Sequence, residues 1–218
     1  MNLKLGDTQL IIAECIKEGL LRNQAAYVLA TAYHESAHTM KPIAEMGSQA
    51  YLHSRKYWPY IGRGYVQLTW DYNYKKASGK LGVDFMAHPE LLMQAQYAVP
   101  ILVEGMKEGW FTGRKLSDYM DLQHSDFLNA RREINSMDKA SLIASYAVQY
   151  DNDLKGIGYG STAPAVVVQS VPAPVAPVQP VTPTAPVTPP MTPTDPAPKM
   201  TIMDVIVLIF KGLFGGIK

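Results

Sequence analysis

The first 155 or so residues of this 218-residue chain predict an all-α domain. Three observations point there. Apolar residues recur at helical spacing behind capping side chains, alternating strand-like runs are few, and 12 of the 16 prolines are confined to the stretch from Pro164 to Pro198. The single cysteine, Cys15, excludes intramolecular disulfides, so stability must come from a packed core. A globular part of about 160 residues suffices, because it buries roughly 70% of the surface its unfolded chain exposes.

Asp7 or Thr8 can cap a first helix running to Glu18, with Gly19 as its stop, and Asn23 can cap a second running through Ala37. From Met46 to Trp70 the periodicity gives way to Gly, Ser, Pro and aromatic residues, which predicts an irregular segment or short hairpin that forms surface and cleft. Further helices are expected over Asp71–Ser78, Pro89–Gln94, Ala95–Glu108 (with Pro100 as a kink or a fresh start), Ser125–Glu133 and Asp138–Leu154. The domain divides as 1–157 for the globular part, 158–199 for a linker and 200–218 for a terminal helix. The Pro, Val, Ala and Thr steps of the linker cannot form a core and favour disorder with polyproline II character. Its 38 residues from Ser161 to Pro198 could reach about 120 Å at ~3.1 Å each.

The tail carries Val205-Ile206-Val207-Leu208-Ile209-Phe210, with Asp204, Lys211, Gly215 and Lys218 along one narrow stripe. It is intermediate between a marginal spanning helix and an interfacial one, and its expected partner is a bacterial membrane; folding back onto the domain or self-association is the alternative. Residues 1–160 hold 17 basic and 17 acidic side chains, so the net charge of +1 arises in the tail. That balance argues against nucleic acid as a partner. The stretch from Met1 to Leu21 lacks the pattern of a secretory signal, which leads us to expect synthesis in the cytoplasm.

Two constellations compete for the chemistry. His34-Glu35-Ser36-Ala37-His38 has the H-E-x-x-H form, in which two imidazoles one helical turn apart hold zinc and the glutamate acts as base. A zinc peptidase would also need a third ligand, and His53, His88 and His124 fit no recognised spacing. The other constellation is Glu35 and, ten residues later, Glu45, with no further carboxylate before Asp71. One ends a helix and the other lies in the irregular segment, as acid and base across a cleft require. The run from Gly62 to Tyr74 sets glycines beside aromatic and amide side chains, a composition suited to stacking on sugar rings and bonding their hydroxyls.

Over about residues 25–150 the chain resembles glycoside hydrolase family 19, the chitinases and related phage endolysins. The resemblance rests on His34-Glu35 at a helix end, on Gly62-Arg63-Gly64-Tyr65-Val66-Gln67-Leu68-Thr69-Trp70-Asp71-Tyr72-Asn73-Tyr74, and on Arg131-Arg132-Glu133-Ile134-Asn135. It implies a lysozyme-like, two-lobed helical fold and an inverting mechanism, with no cofactor and no metal. Glu35 is then the general acid, Glu45 the general base and Thr69 a holder of the attacking water. His34, Tyr65, Gln67, Tyr72, Asn73 and Asn135 fall at substrate-binding positions. Inversion needs the two carboxyls about 6.5 to 9.5 Å apart, leaving room for water. The chain lacks the longer insertion and the disulfides of plant chitinases and so resembles the compact phage form.

Linker and tail favour a lysis protein that must cross a bilayer to reach the wall. The expected activity is that of an endolysin: a monomer made in the host cytoplasm, it cuts the β-1,4 bond between N-acetylmuramic acid and N-acetylglucosamine in the glycan strands of peptidoglycan. A chitinase, a zinc peptidase and a non-catalytic glycan-binding module are the competing readings.

Overall fold

The computed structural model describes residues 1–160; from residue 161 onward the expected linker and the terminal helix lie outside the described residues, and Tyr159, expected in the linker, packs against the main core. Six α-helices and one two-stranded hairpin make up the domain. In chain order they are α1 (Thr8–Lys17), α2 (Arg22–Glu35), β1 (Ile43–Ala44), α3 (Gln49–His53), β2 (Arg63–Gly64), α4 (Asp71–Leu81), α5 (Ala95–Glu108) and α6 (Ala140–Gly156). Three 3-10 turns, Pro89–Met93, Leu116–Asp118 and Asn129–Glu133, complete the set. The all-α class holds, and among the described residues no helix is long and apolar enough to cross a membrane.

Helix α2 organises the rest. Every residue from Ala25 to Ala32 is buried, so this helix is covered on all sides rather than on one face. Four of those eight residues are alanine, whose small side chain lets neighbouring helices approach closely. Around α2 pack Ile11 and Cys15 of α1, Leu102 and Met106 of α5, and Ile143, Tyr150 and Leu154 of α6. A second apolar cluster gathers Tyr74 and Ala77 of α4 with Leu68, Phe85, Leu92 and Ile101. Helix α5 serves both, presenting Val99, Leu102 and Val103 to the main core and Ile101 to the smaller one. Two cores with a shared wall match the two-lobed arrangement that the family resemblance implies.

Helix ends follow local chemistry. Helix α1 stops where Gly19 turns to φ +68°, its N–H and that of Leu20 returning to the carbonyls of Ile16 and Cys15. Helix α2 begins one residue before Asn23, with the Leu21 N–H donating to Gln24 Oε1 at 3.0 Å. The Asn23 amide instead donates to Asp121 O and Ser125 Oγ, both at 2.8 Å, pinning the loop before the last 3-10 turn. The second helix ends at Glu35, two residues short of the expected Ala37, because Ala37, His38 and Met40 all take positive φ. Pro100 lies inside α5, which spans the expected residues. Only Asn129–Glu133 of the expected helix over Ser125–Glu133 is helical, and as a 3-10 turn, since Asp126 accepts the Asn129 N–H with its own side chain. The irregular stretch contains both the hairpin and α3. In the hairpin Ile43 lies opposite Gly64 and Ala44 opposite Arg63.

Glu133 is fully buried, and neither of its carboxyl oxygens has a hydrogen-bond partner. Burial, helped by the nearby Asp118 charge, pushes its pKa from 4.5 up to about 9. Below about pH 4.5 the group is protonated in both folded and unfolded chains. Between that pH and about 9 the unfolded chain releases the proton while the folded chain keeps it, so the contribution to stability falls as pH rises and levels off above about 9. Glu133→Gln, which mimics the neutral acid, is therefore expected to melt close to the wild type at pH 4.5 and at a higher temperature than the wild type at pH 8. An advantage that did not grow between these two pH values would contradict the assignment.

Candidate active site

The two sequence-identified glutamates are held by different means. Glu35 is the last residue of α2, and its side chain is only 10% exposed. Its Oε1 accepts from Arg131 Nη1 at 2.6 Å. Arg131, 1% exposed, belongs to the 3-10 turn Asn129–Glu133, and its Nε donates to the carbonyl of Asp138 just before α6 at 3.1 Å. One oxygen of Glu35 is thus fixed by the guanidinium, and no hydrogen bond to a described residue occupies the other. His34 beside it is buried, with Nδ1 lacking a hydrogen-bond partner, and burial holds its pKa below the ordinary histidine value. The ring is therefore neutral at pH 7 and lies beneath the surface.

The zinc reading of residues 34–38 fails on this geometry. Imidazoles four residues apart share a face only while the helix continues, and α2 ends at Glu35 with Ala37 and His38 in the left-handed region. His38 instead stacks on Tyr33, with ring centroids 4.5 Å apart, and its Nε2 lies 3.5 Å from the Tyr146 hydroxyl. Among the described residues the trio of side chains close enough to share an ion is Glu14, Glu18 and Glu104, and no histidine belongs to it.

Glu45 extends the hairpin beyond β1. Its N–H donates to Gly62 O at 2.7 Å, and its Oε2 accepts the Gly62 N–H at 3.2 Å. Its Oε1 accepts from the Tyr57 hydroxyl at 2.7 Å, and Arg55 Nε donates to that hydroxyl at 3.1 Å. The Arg55 guanidinium also lies 4.6 Å over the Tyr51 ring. Burial raises the Tyr57 pKa, so the phenol keeps the proton it donates. A Cβ on Gly62 would stand 2.8 Å from Gln67 Oε1 and 3.4 Å from Thr69 Oγ1, so glycine at this position lets both side chains crowd the strand that binds Glu45.

Around this carboxylate the remaining candidates are locally tied. Gln67 Nε2 donates to the carbonyls of Ile43 and Gly64, Thr69 Oγ1 to Gln67 O, and Asn73 Nδ2 to Thr69 O. Their oxygens are left as acceptors for other donors. Tyr72 is 61% exposed and stacks on Trp70, with centroids 6.2 Å apart and planes 17° from parallel. Trp70 itself takes φ +76° and ψ 145°, a region that costs a residue bearing a Cβ about 1–3 kcal/mol. Asn135 is on the other side of the division, two residues past the 3-10 turn of Arg131, with Oδ1 accepting the Ser136 N–H. Tyr65 departs from its expected role. It is fully buried in the main core, its hydroxyl donating to Asp7 Oδ2 at 2.7 Å, and cannot touch a ligand.

The structure therefore groups Glu45, Gln67, Thr69, Tyr72 and Asn73 around the hairpin, and Glu35, His34 and Asn135 around Arg131. Arg131, Tyr57 and Arg55 were not singled out as site residues from the sequence. The Arg131–Glu35 pair spans 96 positions, which no spacing rule detects.

No family model matches the chain, and neither does any curated protein. Among solved structures it is similar to chitinase C from Streptomyces griseus HUT6037, at 23% identity and a TM-score of 0.49 over 66% of this chain and 62% of that one. A mutant of chitinase C matches at 22% identity and a TM-score of 0.43, over 65% of this chain and 74% of that one. The chain thus spans less than two thirds of the length of the first.

Tyr57→Phe removes one donor to the Glu45 carboxylate and leaves the ring in place. A hydrogen bond to a charged group is worth about 1.5–3 kcal/mol, so whatever turnover depends on Glu45 is expected to fall about tenfold or more with the fold intact by circular dichroism. Unchanged turnover would show that Tyr57 does not support that carboxylate.

Proposed function

We propose that the domain is a glycoside hydrolase acting on β-1,4-linked N-acetylhexosamine strands, with Glu35 as general acid and Glu45 as general base. The observation that carries this reading is that each carboxylate is held by its own dedicated donors, Glu35 by Arg131 and Glu45 by Tyr57 and the Gly62 N–H. Side chains fixed in this way meet the demand for oriented proton transfer. The oxygen of Glu35 that Arg131 leaves free would carry the proton for the departing glycosidic oxygen, and the guanidinium would hold the carboxylate formed when that proton leaves. Glu45 would take one from a water that Thr69 Oγ1 helps to hold, and that water would attack the anomeric carbon from the opposite face. One water is added across the bond, and the configuration inverts.

Within this class the preferred substrate is peptidoglycan, cut between N-acetylmuramic acid and N-acetylglucosamine. The support comes from the composition of residues 158–218, a proline-rich spacer before an apolar segment with Lys211 and Lys218, which suits a protein delivered to a wall past an anionic bilayer. On this reading it is an endolysin, made in the host cytoplasm and released onto the wall at lysis. Chitin is the alternative glycan.

Digestion of purified cell walls tests the reaction class. New reducing ends are expected, and Glu35→Gln and Glu45→Gln are each expected to cut their release about 10²–10⁴-fold while the fold persists. New amino groups would point to a peptidase, and neither product to a module that only binds. Removal of residues 200–218 is expected to abolish leakage of anionic liposomes and killing of intact cells while digestion of stripped walls continues. Leakage and killing at the full-length level would refute the role given to the tail.

A further inference from the structure

We propose that Trp70 is a stacking platform for a sugar ring of the glycan strand, placed on the Glu45 side of the site; this rests on the glycosidase reading above. The backbone supplies the first argument. Trp70 sits at φ +76° and ψ 145°, a conformation almost confined to glycine. Glycine would preserve every backbone bond made there. The Trp70 N–H donates to Tyr60 O at 3.0 Å, and the Trp70 carbonyl accepts from Asn73 and Tyr74, both at 3.2 Å. The turn that starts α4 therefore does not need an indole.

Packing does not need it either. The indole is 39% exposed and belongs to neither apolar core. Its aromatic neighbours are Tyr57, edge-on at 5.3 Å, and Tyr72, nearly parallel at 6.2 Å. Tyr57 is the residue whose hydroxyl holds Glu45, so the indole stands one side chain away from that carboxylate. Next in the chain is the exposed Asp71, and Arg55, the cation bonded to Tyr57, is also engaged by the Tyr51 ring. Such surroundings suit a neutral ligand with an apolar C–H face and hydroxyls at its rim better than a phosphate or an anionic lipid head group. A pyranose ring has both features. A strained, half-exposed indole is then explained by what it binds.

The test uses the full chain carrying Glu35→Gln, so that ligand survives, with an N-acetylglucosamine tetramer and purified peptidoglycan as probes in calorimetric titration and pull-down. Trp70→Ala and Trp70→Gly are expected to weaken binding about tenfold or more, and Trp70→Phe by less, because it keeps an aromatic face. Trp70→Gly is expected to melt at the same temperature as its parent or higher, since it relieves the backbone. Binding unchanged in Trp70→Gly and Trp70→Ala would overturn the platform and leave the glycosidase reading standing. A melting temperature several degrees lower in Trp70→Gly would overturn it too, by making the indole structural. Absence of binding to either probe by the parent would remove the glycan reading and this proposal together.

Discussion

Arg131 is among the largest fully buried side chains of the described residues, and its guanidinium must find hydrogen-bond acceptors where it sits. Glu35 Oε1 supplies one at 2.6 Å and the Asp138 carbonyl another at 3.1 Å. Desolvating such a pair costs several kcal/mol per ion, so it is a weak source of net stability. Its effect is to specify geometry, because removing the acceptor oxygen would leave a guanidinium unpaired in the interior. The end of α2, the 3-10 turn before Ile134 and the approach to α6 are thereby required to meet at one point. The candidate acid is set by the whole main core, and only long-range packing can place it.

Glu45 is held in the opposite manner. All its partners lie between Tyr57 and Gly62, within one hairpin and the loop it closes. The hairpin is only two residues long on each side, too short to be stable alone. It is anchored through Leu68 and Tyr74 in the smaller core, and through Arg63, which donates to the Tyr74 hydroxyl at 2.7 Å and to the Pro59 carbonyl. One carboxylate thus belongs to the large core and the other to the small one, joined by α5. Two cores that share a single wall therefore give the two carboxylates separate supports.

What was legible in the sequence follows from the range of the interaction. Helix α5 shows its strong apolar periodicity, with Gly109 behind it, and its bounds are read correctly. Glu35 and Glu45 are legible as isolated carboxylates, and Thr69, Gln67 and Asn73 through a contiguous motif. Tyr65 departs from its expected role because the same motif also supplies core residues, and only burial separates the two uses. The segment from Ser125 to Leu128 reads as helical, yet Asp126 binds the Asn129 N–H with its side chain and competes with the helix. The partnership of Arg131 with Glu35 depends on packing between distant elements, and local sequence holds no trace of it.

Backbone strain is distributed in the same pattern. Among the described residues the non-glycine positions at positive φ are Ala37, His38, Met40, Gln67, Trp70 and Lys139. The first three turn the chain immediately after Glu35, and the Met40 carbonyl accepts the Asp7 N–H at 2.8 Å, tying that turn back to the start of α1. Gln67 and Trp70 flank Thr69, and Lys139 follows Asp138, whose carbonyl receives Arg131. Each such residue costs of order 1–3 kcal/mol, which only an over-determined surrounding can hold. Helix α2, buried along its length, and α5, packed on both sides, supply that surrounding. The rigid cores and the strained turns are therefore one design, in which packing energy from the interior is spent on aiming a few side chains at its edge.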